Sequence, residues 1–226
     1  MEKLVYLIFR EADFPGEELR NGLISKAAPA LRAAGASQIT LNVHDEDTAH
    51  GTPIRRSDPP IRAMVSFWLQ NADDRAPCED ALAAHAQRLT GYLVVESRPL
   101  VHDMPVGQRT PGMNQITCIH RKRDLPYDEF IRIWHGDHRE VAVETQSTVG
   151  YVRNVVVRGL TEGAPPIDGI VEETFPIEAL SDPRVFYDAA SQEEFKANLD
   201  RMIKSCQRFL DFEPLETTHM SEYYLG

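Results

Sequence analysis

Hydrophobic and polar positions alternate along the first half of the chain in a pattern that predicts six elements. An apolar run over residues 3–10 predicts a strand, and apolar residues three and four apart between Leu19 and Leu31 predict a helix. The strand patterns SQITLNVHD and IRAMVSFWLQ follow, separated by a loop that contains Gly and Pro. The segment PCEDALAAHAQRL predicts a second helix that ends near Gly91, and GYLVVESRPLV predicts a closing strand. The predicted order is β-α-β-β-α-β.

The same order recurs after DMPVGQRTPGMN, a stretch whose Pro and Gly residues predict a linker. NQITCIHRK predicts a strand, and PYDEFIRIWHGDHREVAVET predicts a helix with Asp124 as its N-cap. Two strand patterns follow, GYVRNVVVRGL and DGIVEETFPI. Ser191 and Glu194 have the spacing of a capping box at the start of the last helix, and ETTHMSEYYL predicts the last strand.

This repeat predicts the fold class and its division into units. Each half has about 110 residues, the usual size of a ferredoxin-like βαββαβ unit. Such a unit has helices on only one face of its sheet, so the other apolar face must be covered. We therefore predict an α+β fold in which two tandem ferredoxin-like units pack sheet to sheet as an intrachain α+β barrel. The predicted units are residues 1–103 and 114–226, and residues 104–113 form the linker.

Composition and charge narrow the set of partners. The 226 residues include 24 Lys and Arg against 35 Asp and Glu, a formal net charge of -11. An acidic surface repels phosphate backbones and anionic lipids, so we expect neither a nucleic acid nor a membrane partner. The N-terminus does not have the pattern of a signal peptide. The three cysteines lack a CxxC motif, which favours reduced thiols and a cytoplasmic location.

Candidate chemistry is concentrated in the histidines of the second half. The sequence has no Walker loop, no GxGxxG after a strand, no GxSxG elbow and no HExxH. Phe130, Trp134 and His138 lie at i, i+4 and i+8, so they share the helix face that packs on the sheet. An imidazole there is either a structural core histidine or an acid–base group. His135 and His138 lack a third ligand, so no metal is predicted.

A family resemblance is carried by this helix and by the elements after it. The run F-x3-W-x3-H after a Leu-Pro turn, then GYVRN, DGIVEETF and a capped helix, resembles the EthD family of the dimeric α+β barrel superfamily. The resemblance extends from about residue 113 to the C-terminus and implies a pocket between the sheet and its helices. The first helix of the chain has neither the Trp nor the His, so the N-terminal unit resembles a degenerate copy.

The resemblance also implies which residues form the site. The predicted catalytic residues are His138, His219 and Glu172. The predicted substrate-binding residues are Phe130, Trp134, Tyr151 and Asn154.

Two orientations stay open from the sequence. His219 faces either the pocket or the barrel interior, because alternation along its strand does not say which face is which. Glu172 and Glu173 are adjacent on a strand, so only one of them can face the helices. The carboxylate that does so would orient the imidazole of His138, and the alternative is a barrel-interior charge paired with Arg153.

The predicted function is that of an EthD-like enzyme without a cofactor. It would act on a small hydrophobic or aromatic, carbonyl-bearing molecule by general acid–base chemistry, in a catabolic or secondary-metabolite pathway. The reaction would be of the lyase or decarboxylase type, or a cofactor-free oxygenation. One alternative is a haem-dependent α+β barrel enzyme with a histidine ligand in the C-terminal unit. Another is a non-catalytic small-molecule-binding accessory protein. Both a monomer and a homodimer are compatible with these expectations.

Overall fold

A computed structural model describes residues 1–226 of the chain. The N-terminal unit has the predicted order of strands and helices. Its strands are β1 (Glu2–Phe9), β2 (Ser37–Val43), β3 (Ile61–Leu69) and β4 (Arg88–Leu100). Its helices are α1 (Gly16–Gly22) and α2 (Ala28–Ala33), joined by a π-helical turn (Leu23–Ala27), and α3 (Ala76–Ala83).

The C-terminal unit repeats this arrangement and adds a short helical segment. Its strands are β5 (Met113–Ile119), β6 (Gly150–Gly159), β7 (Gly169–Phe175) and β8 (Glu216–Tyr224). Its helices are α4 (Tyr127–Arg132) and α5 (His138–Thr145), joined by a π-helical turn (Ile133–Asp137), then α6 (Pro183–Phe186) and α7 (Gln192–Cys206). A 3₁₀ turn (Ile177–Leu180) precedes α6, and neither of these two elements was predicted.

The eight strands form one closed antiparallel barrel in the order β1-β3-β2-β8-β5-β7-β6-β4. Each unit contributes four adjacent strands, and the two sheets join where β2 pairs with β8 and β4 pairs with β6. The predicted α+β barrel is thereby confirmed. Because the barrel closes within one chain, it does not need a second copy, and a homodimer stays a prediction.

The helices cover the outer face of each half of the barrel. In the N-terminal unit, Leu19, Leu23 and Leu31 are buried and pack with outward-facing strand residues such as Leu4 and Phe67. In the C-terminal unit, a separate cluster of buried residues joins the helices to the sheet: Ile119, Phe130, Ile133, Trp134, Tyr151, Val171 and Phe209. Amphipathic helices therefore bury their apolar stripes against both sheets.

The barrel interior is filled, partly by apolar and partly by charged side chains. Val5, Met64 and Ile116 belong to an apolar cluster on the inner faces of the strands. Near it, the Lys3 ammonium contacts Glu172 at 3.4 Å and forms an ion pair with Glu96. The void beside this charged group measures only about 10 Å³. This part of the interior therefore has no space for a substrate-sized molecule.

Two details of the N-terminal and C-terminal helices differ from the sequence prediction. Helix α3 ends at Ala83, and Gly91 lies inside β4, where a Cβ atom would overlap the Tyr6 ring. Asp124 does not cap α4; Pro126 holds the N-cap position without a side-chain hydrogen bond. Ser191 does cap α7, because its hydroxyl accepts a 3.1 Å hydrogen bond from the Glu194 backbone N–H.

No helix is long and apolar enough to cross a membrane.

Candidate functional site

A cavity of about 280 Å³ lies between the outer face of the C-terminal sheet and the helices that cover it. This volume is close to the lower end of the range for small-molecule sites. Most of the wall is hydrophobic, and no Lys or Arg side chain lines it. The cavity therefore suits a small, largely apolar and uncharged guest. Its principal polar residues are Gln115, His138, Gln146, Tyr151, Glu173 and His219.

Four of these polar residues form a single row across the sheet. Tyr151 on β6 is the direct cross-strand partner of Glu173 on β7. Glu173 is the partner of Gln115 on β5, and Gln115 is the partner of His219 on β8. Directly opposed side chains on one face have Cβ atoms about 4.5–5.5 Å apart, so Glu173 and His219 lie about 10 Å apart on either side of Gln115.

Glu173 is the residue of this row whose pKa lies closest to neutral pH. Burial raises its pKa to about 7, because a carboxylate loses hydration inside the protein, and a weak hydrogen bond from Gln115 at 3.5 Å opposes the shift only in part. Both its protonated and its ionised forms are therefore populated near neutral pH. That is the property required of a general acid–base group.

His138 lies at the start of α5, directly after the π-helical turn, and points into the cavity as the helix pattern predicts. Its Nδ1 is 3.0 Å from the Ser205 hydroxyl on α7, and its ring packs on Phe209. Its Nε2 makes no hydrogen bond in the protein and is open to the cavity. Burial, with Arg153 and Arg208 as smaller contributions, lowers the pKa of His138 to about 4, so the imidazole is neutral at pH 7.

His219 faces the cavity and not the barrel interior, which decides the orientation that the sequence left open. Burial lowers its pKa to about 4, and the nearby His44 contributes to this shift. Its Nδ1 is enclosed without a hydrogen-bond partner. Its Nε2 makes no hydrogen bond in the protein and remains open to the cavity.

Trp134 and Tyr151, both predicted to bind substrate, line the cavity together with other aromatic side chains. The Trp134 indole N–H donates a hydrogen bond to the Tyr151 hydroxyl at 3.2 Å. Phe130 was expected to bind substrate, but it does not line the cavity. It is fully buried behind Trp134, with the two ring centroids 5.4 Å apart, and supports the indole from its far side.

Glu172 and Asn154 are the two predicted site residues that the structure places elsewhere. Both point into the barrel, where the Asn154 amide donates a 2.8 Å hydrogen bond to Glu172. The partner of Glu172 there is Lys3 and not Arg153, which instead contacts Ser97 on the outer face. The carboxylate that lines the cavity is the neighbouring Glu173.

The sequence did not indicate Gln115, and it left open whether Glu172 or Glu173 lines the cavity, because it does not fix which face of each strand meets the helices. Strand alternation only divides the residues of β5 into two faces. Gln115 alternates with Thr117 and Ile119, on the opposite face from the Ile116 and Cys118 pair.

Comparison with known families identifies the segment that carries most of the cavity. Residues 122–213 match the family profile described as EthD domain. This segment is an EthD domain. Trp134, His138, Tyr151 and Glu173 lie within it, whereas the remaining members of the polar row, Gln115 and His219, lie just outside its bounds on β5 and β8.

Solved structures with dimeric α+β barrel folds resemble the whole chain and not the EthD domain alone. An anthrone oxidase-like protein is 11% identical, with 100% of this chain and 93% of that chain covered and a TM-score of 0.59. A chlorite dismutase-like protein is 10% identical, with 97% and 95% covered and a TM-score of 0.51. A mutant chlorite dismutase from Candidatus Nitrospira defluvii is 11% identical, with 97% and 91% covered and a TM-score of 0.50. At these identities the likeness demonstrates the fold alone. No curated protein is similar enough to match the chain.

The N-terminal unit has apolar residues at the positions where the unit with the EthD domain has its site. Counted from Pro15 and Pro126, which begin the two first helices, three positions correspond. The matched pairs are Leu19 and Phe130, Leu23 and Trp134, and Ala27 and His138. The polar row also corresponds to apolar residues in the N-terminal unit. Strand register there places Phe67, Leu4 and Leu93 at the positions equivalent to Glu173, Gln115 and His219. The polar cavity is therefore not something that this fold needs in order to be stable.

The lining of the EthD-domain cavity has few of the features that hold a haem group or a metal ion. A volume of about 280 Å³ is near the lower end for sites of drug-sized ligands. No Lys or Arg lines the cavity to pair with haem carboxylates. No three His, Cys, Asp or Glu side chains converge in a way that could hold a metal ion.

Proposed function

We propose that the protein is an enzyme that acts on a small, neutral, hydrophobic or aromatic carbonyl compound by general acid–base chemistry. The single observation that carries this proposal is the position of Glu173. It is a buried carboxyl group with a pKa near 7, and it faces a cavity that has aromatic side chains in its wall. A structural carboxyl group would more simply be paired with a cation, as Glu172 is paired with Lys3.

The wall of the cavity supports a neutral substrate. Trp134 presents an aromatic surface, and no Lys or Arg is present to hold a carboxylate or phosphate. An anionic substrate would also be repelled by the ionised form of Glu173. Among the reactions expected from the sequence, decarboxylation of a free carboxylate therefore has the least support. A lyase-type elimination or a cofactor-free oxygenation has more.

Both of these reactions can begin with the same proton transfer. The Glu173 carboxylate takes a proton from the carbon next to the carbonyl group. The electron pair of that C–H bond forms a C=C bond, and the π pair of the C=O bond moves onto the oxygen to give an enolate. The Nε2–H of His219 or of His138 donates a hydrogen bond to this oxygen. A separation of about 10 Å between the Glu173 and His219 Cβ atoms leaves room for the carbonyl group and the adjacent carbon of the substrate between the two side chains.

The low pKa values of both histidines support this division of roles. With pKa values of about 4, His138 and His219 remain neutral at pH 7 and cannot serve as cationic acids there. A neutral imidazole can still donate a hydrogen bond to a developing oxyanion. Glu173 is therefore the group that changes its charge, and the imidazoles polarise the oxygen.

The direct test is deuterium exchange of 1-tetralone, a neutral aryl ketone with a methylene group next to its carbonyl. The wild-type protein in D₂O should accelerate exchange of that methylene, measured by proton NMR, above the rate in buffer. Glu173→Gln should reduce the protein-dependent rate by about 10²–10⁴-fold, because the amide cannot accept the proton. Binding, followed by quenching of Trp134 fluorescence in a Trp68→Phe background, should persist.

Two further variants sharpen this test. Glu162→Gln changes an exposed carboxylate and should leave exchange unchanged. Glu172→Gln tests the carboxylate that the sequence favoured; loss of exchange in that variant, with exchange retained in Glu173→Gln, would overturn the proposal. Binding of 1-tetralone, 1-indanone and acetophenone without any exchange in the wild-type protein would instead identify a non-catalytic small-molecule-binding protein.

A further inference from the structure

The loop between β2 and β3 of the N-terminal unit closes the cavity of the C-terminal unit. This loop, residues 44–60, crosses over β8, and its residues Thr52 and Ile54 line the cavity together with His219. They are the N-terminal unit's contribution to the cavity wall. The N-terminal unit, which lacks the polar row, therefore contributes part of the wall of the C-terminal cavity.

The loop is attached to β8 at both of its ends. His44 Nδ1 lies 2.9 Å from the His219 carbonyl oxygen. Further along, Ile54 and Thr217 exchange two backbone hydrogen bonds of 3.0 and 2.9 Å. Two side-chain pairs reinforce these contacts, Ser221 with Asp45 at 2.7 Å and Ser57 with Glu216 at 2.7 Å. The part of the loop between these attachments is thereby held against the His219 ring.

Gly51 is the loop residue that meets this ring. A Cβ atom at Gly51 would overlap Nδ1 of His219, so a side chain there would force the ring or the loop to move. Nδ1 itself is enclosed and has no hydrogen-bond partner. The close approach of a glycine has excluded both water and any acceptor from this side of the imidazole.

This enclosure determines where the imidazole proton resides. A buried N–H without an acceptor is rarer in proteins than an acceptor without a donor, so a proton on Nδ1 is disfavoured. A proton on Nε2 faces the cavity, where a bound oxygen can accept it. The position of one hydrogen on His219 thus depends on the packing of Gly51.

We infer that Gly51 is a positioning residue that holds His219 in the neutral Nε2–H tautomer, with this donor directed at the substrate oxygen. The inference rests on the proposed function for its catalytic meaning, but the tautomer itself is a property of the free protein. The N-terminal unit therefore contributes to the C-terminal site through its loop, although it lacks the polar row.

The tautomer can be measured directly by long-range ¹H–¹⁵N NMR of the histidine rings, with His219→Gln to assign the His219 signals. The wild-type protein at pH 7 should give the pattern of a proton on Nε2. Gly51→Ala should alter this pattern and should slow 1-tetralone exchange by about 100-fold, the effect of a displacement of roughly 1 Å at a reacting group. Gly136→Ala is the matched control, because a Cβ atom there meets nothing within 4 Å. A wild-type Nδ1–H pattern, or a Gly51→Ala spectrum identical to that of wild type, would overturn the inference.

A second comparison decides the case in which Gly51→Ala folds poorly. His219→Ala removes the ring that the new methyl group would strike. In the His219→Ala background, Gly51→Ala should therefore lower the urea midpoint by about half as much as in wild type, or less. Part of the loss should remain, because a Cβ atom at Gly51 would also meet Leu180. Equal losses with and without the imidazole would contradict the inferred contact. If the wild-type protein shows the Nε2–H tautomer but no ketone exchange, the positioning stands and the proposed reaction fails.

Discussion

Trp134 donates its indole N–H to the hydroxyl of Tyr151 across the gap between the π-helical turn and β6. Both side chains are almost completely buried, and Phe130 packs against the indole from behind. This hydrogen bond joins the helix to the sheet at the wall of the cavity. It therefore links the stability of the C-terminal unit to the shape of its candidate site.

Replacing Trp134 by alanine should destabilise the protein by about 3–5 kcal/mol, the range for removing a large buried aromatic residue. Urea denaturation followed by circular dichroism measures this loss. Trp68→Ala is the control, because Trp68 is only partly buried and should cost less. Equal losses in the two variants would mean that the Trp134 ring is not packed as described.

Glu173 should make the protein less stable as the pH rises from about 4.5 to about 7. Its pKa is raised from 4.5 to about 7 in the folded state, so the folded state retains a proton that the unfolded chain releases in this range. The stability that this proton contributes is complete below pH 4.5, and about 3 kcal/mol of it is lost by pH 7 and above. Glu173→Gln should remove this loss, so the variant should gain in stability relative to wild type as the pH rises. Urea midpoints between pH 4.5 and 8 test this, with Glu162→Gln as an exposed control.

His138 should have the opposite effect in acid. Its pKa is lowered from 6.5 to about 4, so the unfolded chain binds a proton in this range that the folded protein does not. The stability associated with the neutral ring is complete above pH 6.5 and is lost as the pH falls towards 4, by about 3 kcal/mol. His138→Gln should flatten this dependence, whereas His50→Gln, at an exposed position, should not. A His138→Gln profile as steep as that of wild type would indicate that the ring is hydrated.

Exchanging equivalent residues between the two units should separate stability from function. Gln115→Leu places on β5 the residue that the N-terminal unit has at Leu4, and it should leave stability unchanged or increase it, because a half-buried polar group is replaced by an apolar one of similar size. Ketone exchange should fall in the same variant. Leu4→Gln should destabilise the protein by about 2 kcal/mol or more, because it buries an amide without a partner. Thermal and urea unfolding measure both changes, and a marked loss of stability in Gln115→Leu would argue that the polar row is structural.

The order of elements followed from the sequence because it depends on local spacing. The helical period from Leu19 to Leu31 and the Ser191–Glu194 capping box are both visible without any tertiary contact. The spacing of Phe130, Trp134 and His138 correctly predicted an inward-facing stripe. The short helix α3 was predicted too long, because Gly91 marks the close packing of the Tyr6 ring inside a strand and not the end of a helix.

The candidate site was only partly accessible from the sequence because the strands that carry it are buried on both faces. Every residue of β7 is buried, so hydropathy does not distinguish the face of Glu172 from the face of Glu173. The same is true of His219 on β8. Gly51 is 168 positions from His219 along the chain, and no local pattern links them.

The sequence by itself determined the repeat, the pairing of two α+β units and the helix face that carries Phe130, Trp134 and His138. Those features depend on periodicity within a single element. Only the tertiary structure decided which carboxylate faces the cavity, which face His219 occupies and which loop covers it. Closing the sheet into a barrel assigns an inside and an outside to each strand, and alternation along a chain states only that neighbouring residues lie on opposite sides.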